Sequence, residues 1–303
     1  MNGIISIVKV MILWSALLII LLLFVTQDAF SEEKFTRLSA RLNEKGLPVI
    51  DIPILGKLES VIIDTGSDTA LHINEDTRLR LGTSLIKAGS IRTMDIAGKV
   101  NQLQSYRITS LPIGDINFTN LLAADLKPWG LNFAPNNPSD INASEMVIGR
   151  TFFKGKAILL DYKAGFIEIM SPESGVKYVN KHGFYHWDMS DSKDGLIVEI
   201  KSEEKPLRFI VDTATTVTLI KKSSVNNEKR IACSSILASL DDDTCNAISI
   251  PNGTDMHDKQ IEAVVVDSDF SGLNADGILG ANFLLSNPIL IDFSTSQLYM
   301  ESE

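Results

Sequence analysis

The chain has 303 residues, 45% of them hydrophobic, enough to fill one large core or two modest ones. A formal charge of −10, a pI near 5.0 and scattered Lys and Arg leave no basic field for a phosphate backbone, which argues against nucleic acid as a partner. The acidity reads as a solvated surface.

The first distinctive stretch is a short leader with Lys9 followed by an uncharged apolar run over residues 10–25. It is long enough to cross a bilayer as a signal anchor, or to serve as the core of a cleaved signal peptide, over residues 1–26. Lys9 precedes the run, so the positive-inside rule keeps the leader in the cytoplasm and exports the rest, giving an extracytoplasmic, membrane-anchored body, or a secreted one if the segment is cleaved. Residues 27–44 then form a polar stem.

From Leu47 onward, short apolar runs punctuated by Gly, Pro, Asn and Asp predict a mostly β protein. Short helices are expected at Glu75–Leu81 and over 234–240. The only two cysteines, Cys233 and Cys245, are separated by one short loop. In an exported domain they suit a disulfide, with two buried thiols as the alternative. Asn117, Asn142 and Asn252 each begin an N-x-Ser/Thr sequence, which matters only in a secretory host that glycosylates.

The decisive feature is an internal repeat. KLESVIIDTGSDTALHI at 57–73 is matched by KPLRFIVDTATTVTLI at 205–220, and VIGRTFFKGKAILLDYKAGFIEIM at 147–170 by ILGANFLLSNPILIDFSTSQLYM at 278–300. Superposing Gly149 on Gly280 also superposes Phe152 on Phe283, Leu159 on Leu290 and Asp161 on Asp292. Two motifs recurring in the same order imply duplicated lobes, 45–172 and 185–303, joined by a connector over 173–184.

A carboxylate buried at the end of an apolar strand costs several kcal/mol unless it is compensated. If the lobes meet about a twofold axis, Asp64 and Asp212 come face to face, share one proton and hold a water between them. The ionised member takes a proton from the water while the protonated member donates to a substrate carbonyl. Gly66 and Ala214 are small enough for close backbone approach. Thr65 and Thr213 can exchange hydrogen bonds across the axis, and Ser67 and Thr215 can donate to the outer carboxylate oxygens. Asp161 and Asp292 each end an apolar run before a turn and read as structural.

With IIDTGS at 62–67, IVDTAT at 210–215 and the motifs VIG and ILG ending at Gly149 and Gly280, the sequence resembles the pepsin and retropepsin superfamily of aspartic proteases. The resemblance implies two mostly β, barrel-like lobes with a cleft between them, a psi-shaped crossing at Gly149 and Gly280, and a protein or peptide substrate bound extended in the cleft. It also implies no metal or organic cofactor, and fused lobes make one chain sufficient for activity. The hairpin that would cover the cleft falls at 90–108, with its turn near Ala97 and Gly98, and Met94 stands nearest the position where pepsin-like enzymes carry a tyrosine. Tyr106 lies too far along the returning strand. The missing tyrosine and Ala214 in place of glycine are departures, and they motivate a second reading: a catalytically inactive peptide-binding or scaffold protein of the same fold.

Other chemistries are poorly served. HGFYH, at 182–186, holds two of the four histidines, but Gly183 disfavours the helix that would bring them together, and His72 and His257 supply no evident third ligand. There is no G-x-S-x-G elbow and no phosphate-binding loop.

Overall fold

The computed structural model describes residues 35–302 except 95–97, 99, 128–144, 203–204, 227–228 and 251–259. The apolar run at 10–25 lies outside the described residues, and among those described no helix is long and apolar enough to cross a membrane.

The first half contains β1 (Phe35–Leu42), β2 (Pro48–Ile54), β3 (Lys57–Asp64), β4 (Leu71–Ile73), helix α1 (Glu75–Leu81), β5 (Leu85–Met94), β6 (Val100–Ile113), β7 (Ile116–Asp125), β8 (Met146–Gly149), β9 (Ala157–Asp161) and β10 (Phe166–Met170). Helix α2 (Pro172–His182) follows. The second half contains β11 (Phe184–Trp187), β12 (Met189–Ser192), β13 (Gly195–Ile200), β14 (Leu207–Val211), β15 (Leu219–Lys221), β16 (Lys229–Ile231), helix α3 (Cys233–Ile236), β17 (Ala247–Ile250), β18 (Ile261–Val266), β19 (Gly277–Leu279), helix α4 (Ala281–Leu284), β20 (Ile289–Asp292) and β21 (Gln297–Glu301). The protein is mostly β, and among the described residues its strands form two sheets, of 13 and 8 strands.

Two departures from the sequence expectation are local. Residues 35–42, expected in the polar stem, form β1, which pairs with β10 and β2. Thr36, Leu38 and Ala40 turn inward while Arg37, Ser39 and Arg41 face out, an alternation typical of a half-buried strand that the charges obscure. Helix α1 has its expected bounds because Asn74 caps it, accepting from the Thr77 N–H at 2.8 Å. The helix expected at 234–240 is instead one turn, Cys233–Ile236, followed by a tight turn closed by Leu240 N–H on the Leu237 carbonyl.

The repeat in the sequence becomes a repeat in the pairing. Strand β3 runs parallel to β8, while β4 lies antiparallel to β8 and parallel to β7. In the second half β14 runs parallel to β19, while β15 lies antiparallel to β19 and parallel to β18. The chain between each β3- or β14-type strand and the next therefore crosses directly over the end of the glycine strand. A Cβ on Gly149 would lie 2.1 Å from the Thr69 carbonyl oxygen, and one on Gly280 would lie 2.6 Å from that of Val217. Only glycine leaves room for these crossings.

The halves join through an antiparallel platform in the order β11-β21-β20-β9-β10-β1. At its centre Leu159 pairs with Leu290, residues that the sequence repeat makes equivalent, flanked by Ile158 on Ile291 and Leu160 on Ile289. Equivalent residues opposite each other mark a local twofold axis. Asp161 and Asp292 anchor turns after their strands, accepting from Ala164 N–H and Ser294 N–H, both at 2.8 Å. Helix α2, between Ser171 at its N-cap and left-handed Gly183 at its C-cap, covers this platform with Val179 packed among Ala157, Met170 and Leu290. One apolar core runs through both halves and includes Ile63, Phe153, Ile158, Phe209 and Ile291.

Because the obstacle at Gly149 is main-chain carbonyl, the crossing can admit a methyl only by moving backbone. Gly149→Ala is expected to lose about 3 kcal/mol of stability, read as a lower urea midpoint with an unchanged denaturant slope, whereas Gly155→Ala, with open space at its Cβ but a φ of +72°, should lose less.

Candidate active site

The apolar strand β3 ends at Asp64, which is 5% exposed, and the chain turns at Thr65 and Gly66. Asp212 occupies the same place after β14 and is half-buried. The two carboxyl groups are hydrogen-bond neighbours. Gly66 sits between them: a Cβ there would lie 3.1 Å from Oδ1 of Asp64 and equally far from Oδ2 of Asp212. Ala214, on the opposite loop, is tolerated in its half-buried position.

Below the carboxyls the two turns are locked. Thr65 N–H donates to Thr213 Oγ1 at 3.1 Å, and Thr213 N–H donates to Thr65 Oγ1 at 3.2 Å. Thr65 Oγ1 donates to the Val211 carbonyl at 2.6 Å, and Thr213 Oγ1 donates to the carbonyl of Ile63. Both threonines are fully buried, and each bond is the twofold image of another.

Each carboxyl also has local donors. Asp64 Oδ1 accepts from Ser67 N–H at 3.0 Å. Asp212 accepts from Ala214 N–H at 2.9 Å and from the Thr215 hydroxyl at 2.7 Å. The hydroxyl donation expected of Thr215 is thus present, but the one expected of Ser67 is not. Ser67 Oγ lies 3.2 Å from Nε2 of the buried His72 instead. The backbone turn puts the Ser67 side chain against β4, where His72 offers a ring nitrogen, while the matching β15 residues Leu219 and Ile220 offer none.

Burial raises the proton affinity of both carboxyls above the ordinary range, and the Asp212 charge raises that of Asp64 further. The backbone N–H groups of Ser67 and Gly66 and the Arg150 charge oppose the rise at Asp64, and the Thr215 hydroxyl and Ala214 N–H oppose it at Asp212. Two contacting, desolvated carboxyls cannot both ionise near neutral pH, so the pair titrates as a unit holding one proton over a broad range.

No family model and no curated protein matches the chain. Solved structures do. The chain is similar to the aspartic proteinase from Irpex lacteus, with a TM-score of 0.52 and 13% identity, covering 89% of this chain and 97% of that one. It is equally similar to basic 7S globulin from soybean, with a TM-score of 0.52 and 10% identity over 90% and 96% of the two chains. The chain has a pepsin-like fold. One neighbour is a proteinase and the other a globulin, and at these identities the likeness establishes the architecture alone.

In this pepsin-like fold the candidate flap is the hairpin of β5 and β6, closed by the Met94–Val100 pair. Met94 is 53% exposed at its end, Gly98 has a left-handed φ of +81°, and Ala97 lies outside the described residues. Tyr106 is buried lower on the hairpin, its hydroxyl donating to Asp125 at 3.2 Å. Cys233 and Cys245 are joined in a disulfide with a Cα separation of 6.1 Å.

Arg150 is not announced by the repeat: it directly follows Gly149 where the second half has Ala281. Its buried guanidinium donates to the Gly66 carbonyl and to the Ser192 carbonyl, both at 3.2 Å, and lies 3.5 Å from the Asp191 carboxylate. It therefore ties the Asp64 loop to β12 of the other half. A charged residue immediately after an apolar-apolar-Gly motif, in one repeat only, was the available signal.

The threonine lock yields a test. Thr213→Val leaves the Thr65 N–H without its acceptor and the Ile63 carbonyl without its donor in a dry site, so it should lose about 3 kcal/mol. In the double variant with Thr65→Val the loss should fall short of the sum of the singles, as measured by urea unfolding, because the residues act as one network.

Proposed function

We propose that the chain is an aspartic endopeptidase that hydrolyses peptide bonds with a water activated between Asp64 and Asp212. The observation that carries this is the contact of two carboxyls at the ends of equivalent strands, with Gly66 between them placing no side chain against either. The ionised carboxyl removes a proton from the water as its oxygen bonds the scissile carbonyl carbon, and the protonated carboxyl gives its proton to the carbonyl oxygen. As the diol collapses, the carboxyl that took the proton of the water gives it to the amide nitrogen, which leaves as the amine, while a diol hydroxyl returns its proton to the other carboxyl, so that the pair regains its starting state. The threonine lock and the Arg150 tie hold this geometry from below, which limits the reorganisation needed during reaction.

In this reading the substrate is a protein or peptide bound extended in a cleft between two barrel-like lobes, with the β5–β6 hairpin over it. The chemistry needs no cofactor, and one chain supplies both carboxyls. The apolar run at 10–25 supports a body tethered at the outer face of a membrane, or secreted after cleavage.

The rival is a peptide-binding scaffold, favoured by the equal likeness to a globulin and by Met94 at the flap position. A peptide-library digestion from acid to neutral pH separates the two. Asp64→Asn and Asp212→Asn should each abolish cleavage while remaining folded; cleavage surviving in either variant, or tight peptide binding without cleavage by the native chain, would sink the enzymatic reading.

The raised proton affinities also set the pH dependence. Activity should fall as pH rises through the upper dyad value and the shared proton is lost. Between the ordinary carboxylate range and that raised value the folded state binds more protons than the unfolded one, so stability should decline with rising pH. In the Asn variants one ionisation is removed, and unfolding followed across this window should show a shallower decline.

A further inference from the structure

The dyad is built from a repeat, yet its two outer oxygens are served differently. Thr215 gives its hydroxyl proton to Asp212 at 2.7 Å, while the matching Ser67 hydroxyl lies against His72 Nε2 at 3.2 Å and has no bond to Asp64. The direction of the Ser67 bond follows from the histidine. His72 is 2% exposed, and burial keeps its ring neutral, lowering its pKa to about 4 against the opposing influence of the Asp125 backbone carbonyl and the Asp68 charge. A neutral ring has one N–H. The Asp125 backbone acts on the ring as an acceptor, which favours the N–H on Nδ1; Nε2, which faces Ser67, would then accept the hydroxyl hydrogen.

We propose that His72 is a positioning residue that turns the Ser67 hydroxyl away from Asp64, so that the shared proton resides on Asp64 and Asp212 is the base that deprotonates the water. A carboxylate holding a hydroxyl donor is stabilised as the anion, and a carboxyl denied one keeps its proton. The repeat supplies the internal comparison: the same kind of hydroxyl, at the same place in the loop, donates in one half and is diverted in the other. Assigning the roles in this way rests on the proposed acid/base chemistry for its consequence, although the proton's location can be read without turnover.

Arg150 favours the anion at Asp64, but its guanidinium is engaged by Gly66, Ser192 and Asp191. Around His72, β8 presents only Met146, Val147, Ile148 and Gly149. The catalytic loop presents exposed Asp68, and β7 presents Asp125, whose carboxylate is held by Tyr106 and lies 3.8 Å from Arg78.

The test is direct titration of the full chain by NMR, with carboxyl-carbon labels on Asp and ring-nitrogen labels on His. In the native protein His72 should remain a neutral Nδ1–H tautomer from pH 5 to 8, and Asp64 should follow the upper of the two dyad transitions, within about that range. His72→Leu frees the Ser67 hydroxyl for Asp64 and should lower that transition by about one pH unit; adding Ser67→Ala should restore it. Ser67→Ala alone, a small change that keeps the fold accessible if His72→Leu does not fold, should leave the Asp64 transition in place. An Nε2–H tautomer, or an upward shift of Asp64 in Ser67→Ala, would overturn the proposal. Should the titrations come out as expected while no peptide is cleaved, the endopeptidase reading fails and the proton assignment stands.

Discussion

Two carboxyl groups in contact, Asp64 buried and Asp212 half-buried, set the terms for the rest of this structure. Either one alone would cost several kcal/mol to bury as an anion, and together they repel unless a proton stays between them. The surroundings answer that constraint. Backbone N–H groups of Ser67 and Ala214 point at the oxygens, the Thr215 hydroxyl adds a charge-assisted bond, and Gly66 keeps the space between the carboxyls free of side chain. Beneath them, four bonds among Thr65, Thr213, Ile63 and Val211 close a dry network in which every polar atom has a partner from the other half. A half-satisfied version of this network would be worse than an apolar contact, so it forms as a whole or not at all.

Twofold symmetry is how one chain satisfies these demands at both carboxyls. The same axis relates the Leu159–Leu290 pair in the platform and the threonine lock under the dyad, so the sheet joining the halves also fixes the register of the site. The two halves also depart from the symmetry. Arg150 has no counterpart at Ala281, His72 faces Ser67 where the other repeat has aliphatic residues, and the disulfide belongs to the second half alone. A reaction in which one carboxyl gives a proton and the other takes one requires the two to differ, and symmetric motifs cannot provide that difference by themselves.

The sequence carried the parts of the design that repeat. Two Asp-Thr motifs, two glycine motifs and their order were enough to place the paired strands, the crossings at Gly149 and Gly280 and the threonines beneath the dyad, because each has a distinct residue requirement. What escaped notice has no repeat to announce it. Strand β1 alternates in burial, but its inward positions are filled by Thr36, Leu38 and Ala40, too weak a stripe to stand out beside Arg37 and Arg41. The bearing of the Ser67 hydroxyl depends on a histidine five residues on, presented by a strand whose register is set by β7 and β8, and no local pattern encodes that meeting. Arg150 is legible only as a charge where burial is expected, and its partners Ser192 and Asp191 are distant in the chain.

A pepsin-like architecture serves proteinases and globulins alike, so the overall fold cannot decide between them. The local chemistry is more discriminating. A scaffold needs the platform, the crossings and the threonine lock, and all of these would persist if either aspartate were an asparagine, which fills nearly the same volume and accepts the same N–H bonds without repelling its neighbour. The raised proton affinities of both carboxyls should make the folded state less stable as pH rises through the window they span. Such a cost is accounted for by a task that requires one group to hold a proton while its neighbour lacks one. On the proposed reading water activation is that task, and the unequal hydroxyl contacts of Ser67 and Thr215 distinguish the two groups.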